Sequence, residues 1–144
     1  MNADEARARF ASERVACLAT VGAEDHRPHL VPMTFALLDE ATVVSAVDHK
    51  PKRTTALKRL ANIVAHPAVS ILVDHYEDDW SRLWWARADG RARVIEPPVD
   101  PAEHARAVRA LQERYPAYRD RPPDGSIVVI TVERWSGWSA TTRT

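Results

Sequence analysis

The sequence contains little cysteine, little glycine and no excess of charge of either sign. Cys17 is the only cysteine among 144 residues, which excludes an internal disulfide and a cysteine zinc cluster, and we interpret it as a small buried hydrophobe within a strand. The four glycines form neither a GxGxxG nor a GxxxxGK[ST] motif, so the common nucleotide-binding fingerprints are missing. Twenty basic residues balance twenty acidic ones, which argues against a nucleic-acid-binding protein.

Long apolar runs and metal or hydrolase motifs are missing as well. No stretch approaches the roughly 20 apolar residues that a membrane span needs, so we expect a cytoplasmic protein without a membrane partner. The six histidines lack the HExxH spacing, and no metal site is predicted. No serine lies in a GxSxG motif, which disfavours a hydrolase. Length and composition indicate one domain over residues 1–144.

Six strands are predicted, at residues 14–20, 28–37, 41–47, 68–75, 82–96 and 126–133. Pro32 removes one donor from the second strand, so we expect a bulge or a sheet edge there. The fifth strand is expected to be bulged, or to form a hairpin, around Asp89 and Gly90. The early connections are too short for parallel crossovers, and the pattern therefore favours an antiparallel β-barrel with peripheral helices.

Three helices are expected beside these strands. The first covers the first dozen residues, where Ala3, Ala6 and Phe10 recur at helical spacing. The second is capped by Thr54 or Thr55, ends at Pro67 and turns Lys58, Arg59 and Asn62 outward, away from its apolar stripe of Leu57, Leu60, Ala61 and Val64. The third begins at the N-cap Asp100, stops at Pro116 before a loop over 116–125, and buries Ala105, Val108, Leu111 and Tyr115.

One segment of this neutral chain is strongly basic. Between Asp48 and Asn62 there is no acidic residue but five basic ones: Lys50, Lys52, Arg53, Lys58 and Arg59. The segment joins the end of a strand to a helix N-terminus, where free N–H groups and the helix dipole favour phosphate or carboxylate. The alternative interpretation is a set of solvated charges on a helix and its leading loop. The preceding apolar strand, a suitable pocket floor, favours the anion site.

All five tryptophans lie in the second half of the chain, at Trp80, Trp84, Trp85, Trp135 and Trp138. Trp84 and Trp85 are adjacent in a strand and must point to opposite faces, so at most one of them fills the core. The other is available to a loop, a planar cofactor or a second subunit. Core or dimer packing is the alternative role for each tryptophan.

The order of these elements resembles a known family. The segment PHLVPMTFALLDEATVVSAVDHKPKRTTALKRLANIVAHPAVSILVDHY is similar to the pyridoxamine 5′-phosphate oxidase-like superfamily of FMN-binding split β-barrels, and the resemblance covers nearly the whole chain. The segments DHYEDDWSRLWWARADGRARV and ERWSGWSA resemble, more narrowly, its F420-dependent oxidoreductases. The full arginine and lysine pattern and the C-terminal substrate motif of the pyridoxamine phosphate oxidases are missing, so pyridoxamine oxidation is not expected.

The resemblance implies a homodimer with a cofactor between its subunits, and it implies which residues hold that cofactor. The phosphate and tail contacts would be Lys50, Lys52, Arg53 and Arg59. Backbone and small side chains along the ring would come from Pro32, Met33, Thr34, Ser45, Ala46 and Val47. Trp84, Trp85 or Trp138 would close the site from the partner subunit.

The implied function is two-electron hydride transfer between coenzyme F420, a deazaflavin, and a small organic substrate. The cofactor carries the chemistry, so no catalytic residue is assigned; Thr34, Ser45 and His49 are the candidates if a side chain assists. Two alternatives stay open. One is an FMN-binding flavin reductase or oxidase of the same fold, and the other is a non-catalytic carrier of F420 or haem.

Overall fold

Seven strands and four α-helices make up the part of the chain that the computed structural model describes, which is residues 1–47 and 53–141, with only the helical backbone for residues 53–57. The helices are α1 (Ala3–Ser12), α2 (Arg53–Ala65), α3 (Pro101–Arg114) and α4 (Pro116–Asp120). The strands are β1 (Ala16–Val21), β2 (Pro28–Met33), β3 (Ala36–Asp39), β4 (Thr42–Ala46), β5 (Ala68–His75), β6 (Trp84–Ile95) and β7 (Ile127–Ser139). A 3₁₀ turn, Trp80–Arg82, precedes β6.

The strands form one sheet in the order β2-β1-β5-β6-β7-β4-β3, and all its neighbours are antiparallel. Its two edge strands, β2 and β3, are consecutive in the chain, and only Thr34 and Phe35 separate them. Two intervening residues span at most about 11 Å between the flanking Cα atoms. The two edges therefore have to approach each other, and the sheet curls into a split β-barrel, as predicted.

Helix α1 packs against the barrel core through Phe10. The Phe10 ring makes edge-to-face contacts with Phe35 and Trp135, with ring centroids 5.8 and 5.3 Å apart. Such contacts between buried rings contribute about 0.5–1.5 kcal/mol each beyond the area they bury. The prediction of a helix over the first dozen residues is confirmed, with Ala6 and Phe10 buried, whereas Ala3 is exposed.

Helix α3 covers the other side of β3, β4 and β7. Along β7, Val128 and Ile130 point into the barrel, whereas Ile127 and Val129 pack beneath α3 with Leu111. Residues 127–130 of this strand are buried on both faces, which explains why all four are apolar.

Three features of the predicted strands are confirmed and two need correction. Residues 68–75 form β5 as predicted, and the β6–β7 register shifts between Asp89 and Gly90, where a bulge was expected. Residues 28–37 form two strands rather than one. The ladder is interrupted at Thr34 and Phe35, because their backbone groups form hydrogen bonds with side chains and not with a neighbouring strand. Pro32 lies in the edge strand β2, as expected. The last strand continues beyond residue 133 to Ser139.

The predicted inward face of α2 is only partly correct: Leu60 packs against the barrel core as predicted, but the residues beside it do not. Asn62 is 2% exposed and Ile63 is buried, whereas Ala61 is exposed and Val64 is 76% exposed. The Asn62 amide causes this rotation, because its hydrogen bonds to the β1 end hold it against the barrel. The helix also begins earlier than predicted, at Arg53, so Thr54 and Thr55 lie inside it.

Helix α3 begins after Asp100 and buries Leu111, both as predicted, but the rest of its buried face differs from the prediction. Its buried residues include His104 and Ala107, while Ala105 is exposed. The His104 Nε2 atom lies 2.8 Å from the Gly125 carbonyl oxygen, and this contact draws the histidine inward. The predicted loop after Pro116 contains the short helix α4.

Gly90 allows the closest approach of β6 to β7. A Cβ atom at this position would lie 2.2 Å from the Thr131 carbonyl oxygen, so Gly90→Ala must push two paired strands apart. We expect Gly90→Ala to lower the free energy of unfolding by about 1–3 kcal/mol, measured by urea denaturation. The matched control is Gly125→Ala, where a Cβ meets no atom within 4 Å and stability should change by less than about 0.5 kcal/mol. Equal stability of both variants would contradict the steric argument.

Candidate functional site

Two of the predicted ring contacts, Thr34 and Ser45, lie together where the edge strands β2 and β3 approach each other. We call this place the seam of the barrel. Ser45 is 1% exposed, and its hydroxyl donates to the Thr34 carbonyl oxygen at 2.7 Å. The bond ties the two-residue connection between β2 and β3, which we call the seam bend (Thr34 and Phe35), to β4. The end of β4 and the seam bend thus form one rigid unit.

The seam bend is also held by two tyrosines that the sequence analysis did not include in the site. The Tyr115 hydroxyl accepts the Phe35 N–H at 3.1 Å and lies 2.9 Å from the Phe35 carbonyl oxygen. The Tyr118 hydroxyl lies 2.7 Å from Thr34 Oγ1. Both belong to the segment Tyr-Pro-Ala-Tyr, and a tyrosine on each side of a helix-stopping proline was the one available signal.

The surroundings of the seam bend are cationic. The Arg114 guanidinium lies over the Phe35 ring at 4.8 Å and over the Tyr115 ring at 5.6 Å. Arg14 donates to the Arg114 carbonyl oxygen at 2.6 Å, which places a second guanidinium nearby. These positive charges favour an electron-rich or anionic ligand at this end of the barrel.

The other four predicted ring contacts differ in how far they are exposed; they are Pro32, Met33, Ala46 and Val47. Pro32 is exposed on the edge strand, while Met33 buries its side chain in the barrel core. Ala46 is half-buried on the α3 side. Val47 is half-buried against the barrel core, and its N–H donates to the Ser126 carbonyl oxygen at 3.1 Å. Met33 therefore has only its backbone to offer a ligand.

The predicted anion site lies mostly outside the described residues. This applies to Lys50 and Lys52, and also to the side chain of Arg53, whose backbone begins α2. Arg59 is half-buried on α2 and Lys58 is exposed. The first turn of α2 carries no acidic residue, so no carboxylate competes there for an anion.

Asn62 anchors α2 to the barrel. Its Oδ1 atom accepts the Ala23 N–H at 2.9 Å, and its Nδ2 atom donates to Thr20 Oγ1 at 3.1 Å. Such buried, paired amides contribute about 1 kcal/mol per hydrogen bond and cost more when left unpaired. The helix that carries Arg53 and Arg59 is therefore fixed relative to β1.

Trp84 and Trp85 point to opposite faces of β6, as the strand geometry predicts. Trp84 is 7% exposed in the barrel core, with the Arg9 guanidinium 4.5 Å from its ring, so it is not available to a second subunit. Trp85 points to the opposite side and pairs in register with Trp138, which is 44% exposed. Trp85 and Trp138 therefore remain as aromatic contacts for a partner.

The side of the sheet opposite the core carries an apolar patch. Register places Leu30 beside Ala19 and Leu72 beside Cys17, on the same face as Trp85 and Trp138. Leu30 is 65% exposed, and Cys17 is half-buried here rather than buried as predicted. We call this the outer sheet face, defined by Cys17, Ala19, Leu30, Leu72, Trp85 and Trp138.

The described residues contain neither a metal site nor a membrane-spanning helix. Residues 1–47 and 53–141 contain no group of three or more His, Cys, Asp or Glu side chains placed to hold a metal ion. No helix in the same ranges is long and apolar enough to cross a membrane.

The split barrel and its polar seam define a cofactor-binding barrel of the pyridoxamine phosphate oxidase type. The model of the pyridoxamine 5′-phosphate oxidase family matches residues 3–139, and the chain belongs to this family. No curated protein matches the chain at a significant level.

Solved structures share the fold at low sequence identity. A conserved hypothetical protein from Mycobacterium tuberculosis is 24% identical, with a TM-score of 0.76 over 97% of this chain and 86% of that one. An FAD-binding protein from Mesorhizobium loti is 22% identical, with a TM-score of 0.68 over 95% and 94%. A haem-binding protein from Mycobacterium smegmatis is 24% identical, with a TM-score of 0.69 over 96% of this chain and 57% of that one.

Proposed function

We propose that this protein is an oxidoreductase that binds coenzyme F420 beside the seam bend and uses it for two-electron transfer to or from a small organic substrate. The observation that carries the proposal is the hydrogen bond that joins Ser45 to Thr34, two residues for which the family resemblance implies contact with the cofactor ring. From β4 the chain leads into the basic segment and α2.

The charges of the basic segment fit the deazaflavin better than a flavin mononucleotide. A single phosphate needs about two cationic partners, whereas residues 50–59 contain five basic side chains and no acid. The phosphate and oligoglutamate tail of F420 would occupy the additional charges. The helix dipole of α2, whose first turn lacks a carboxylate, adds to this attraction.

The chain's own residues would bind and orient the cofactor, and none of them would take part in the chemical step. Bound F420 supplies the hydride chemistry of a two-electron carrier. Thr34, Ser45 and the backbone of Met33 would hold the ring in one orientation, and the cationic surroundings of Phe35 would favour its electron-rich edge. No side chain is needed as an acid for this role, and none is proposed.

We also propose that the protein forms a homodimer through the outer sheet face. The surface has apolar side chains on five neighbouring strands, and Arg87 and Asp89 form an ion pair at 3.3 Å on the same face. A two-fold interface pairs such a surface with itself. Trp85 and Trp138 would then lie at the boundary between subunits and close the partner's site.

Flavin binding and haem carriage are the alternative functions. FAD-binding proteins from Mesorhizobium loti and Mycobacterium smegmatis have this fold, which supports FMN or FAD as the ligand. The haem-binding protein from Mycobacterium smegmatis supports a non-catalytic carrier.

Parallel titrations of the purified protein with F420, FMN, FAD and haem test the proposal. We expect F420 to bind most tightly, measured by its fluorescence, and the reduced coenzyme to be oxidised by an enone, quinone or nitro compound in steady state. Tighter binding of FMN or FAD would establish a flavoprotein instead. Binding of F420 or haem without turnover of any acceptor would establish a carrier.

The combined substitution Lys50→Ala and Lys52→Ala tests the basic segment. Each charged contact contributes about 1.5 kcal/mol, so the dissociation constant for F420 should rise well over tenfold. The charge-matched control is Arg91→Ala with Arg109→Ala, two exposed residues on β6 and α3, which should change it less than about twofold. An unchanged fluorescence titration of the lysine variant would remove this segment from the site.

Leu30→Asp tests the dimer. A carboxylate within an apolar two-fold interface is desolvated in both subunits, so the variant should elute as a monomer in size-exclusion chromatography with light scattering. Val99→Asp, at an exposed apolar residue outside the sheet, should leave the dimer intact. A monomeric parent protein, or a dimeric Leu30→Asp variant, would contradict the proposed interface.

A further inference from the structure

The backbone of the seam bend has partners that do not depend on Tyr118. The Thr34 carbonyl accepts the Ser45 hydroxyl, and Tyr115 bonds both the N–H and the carbonyl of Phe35. These contacts, and not Tyr118, hold the main chain at the Thr34 carbonyl and at Phe35, where the single Tyr115 hydroxyl proton is shared between the Phe35 and Arg14 carbonyl oxygens. Tyr118 bonds the side chain of Thr34 instead, at 2.7 Å.

The Tyr118 phenol is held firmly for this contact. Its ring packs edge-to-face on Tyr115, with centroids 5.6 Å apart. Its N–H donates to the Tyr115 carbonyl at 3.0 Å, and its own carbonyl accepts the Gln112 amide at 3.2 Å. The short helix α4 thus presents a preorganised hydroxyl to Thr34, and both side chains are half-buried.

We propose that Tyr118 is a positioning residue that directs the Thr34 hydroxyl towards the cofactor ring. A phenol is a stronger acid than an aliphatic alcohol, so Tyr118 donates to Thr34 Oγ1 and leaves the Thr34 proton for another acceptor. A flavin or deazaflavin ring offers such acceptors in its carbonyl oxygens and ring nitrogens. This inference rests on the proposed function, which locates the ring beside Thr34.

The test compares dissociation constants for F420 and FMN in Tyr118→Phe, Thr34→Val and the double variant. Loss of one oriented hydrogen bond should weaken binding about five- to tenfold in each single variant. Because Tyr118 acts through Thr34, the double variant should bind no more weakly than Thr34→Val alone. Thr34→Ser keeps the hydroxyl and should bind within about twofold of the parent protein.

Tyr76→Phe is the matched control, since Tyr76 is exposed in the β5–β6 connection. It should leave binding unchanged, and the melting temperature of Tyr118→Phe should stay close to that of the parent. Unchanged affinity in Tyr118→Phe, or losses that add in the double variant, would overturn the role of Tyr118 while leaving the proposed function intact. A parent protein that binds neither F420 nor FMN would overturn both.

Discussion

The two-residue connection between β2 and β3 constrains the whole molecule. Because Thr34 and Phe35 join strands at opposite edges of one sheet, the chain itself brings those edges together and forces the barrel to close. The bend cannot complete a strand ladder, so its polar groups need side-chain partners. Ser45 and Tyr115 supply them, and the end of β4, the seam and α3 become one unit.

The C-terminal helices therefore belong to the proposed site as well as to the scaffold. Tyr115 and Tyr118 lie 80 and 84 residues beyond their partners Phe35 and Thr34. Ile127 and Val129, on one face of β7, pack against α3 and hold it in place, and α3 holds the tyrosines. On the opposite side, Asn62 fixes α2, which carries part of the basic segment. Rigid elements thus surround a site whose ligand contacts come from short connections.

Local pattern and a family resemblance were enough to predict the fold, but not the long-range polar contacts. Strand β5 follows from its own alternation, and the bulge at Gly90 follows from a glycine within a strand. The face of α2 could not be predicted from periodicity, because Asn62 is drawn inward by Thr20, 42 residues away. The bend at Thr34 was missed for the same reason. Only the resemblance assigned Thr34 and Ser45 to one predicted site, and in the structure a hydrogen bond of 2.7 Å joins them.

The most direct test of the central claim, that the seam bend lies against the cofactor ring, is amide mapping by NMR during titration with F420. We expect the largest shift changes at Met33, Thr34 and Phe35, together with Ser45 to Val47 and the first turn of α2. Shift changes confined to the far end of the barrel, around His26 and His66, whose rings lie 4.9 Å apart beside the β1–β2 turn, would contradict it.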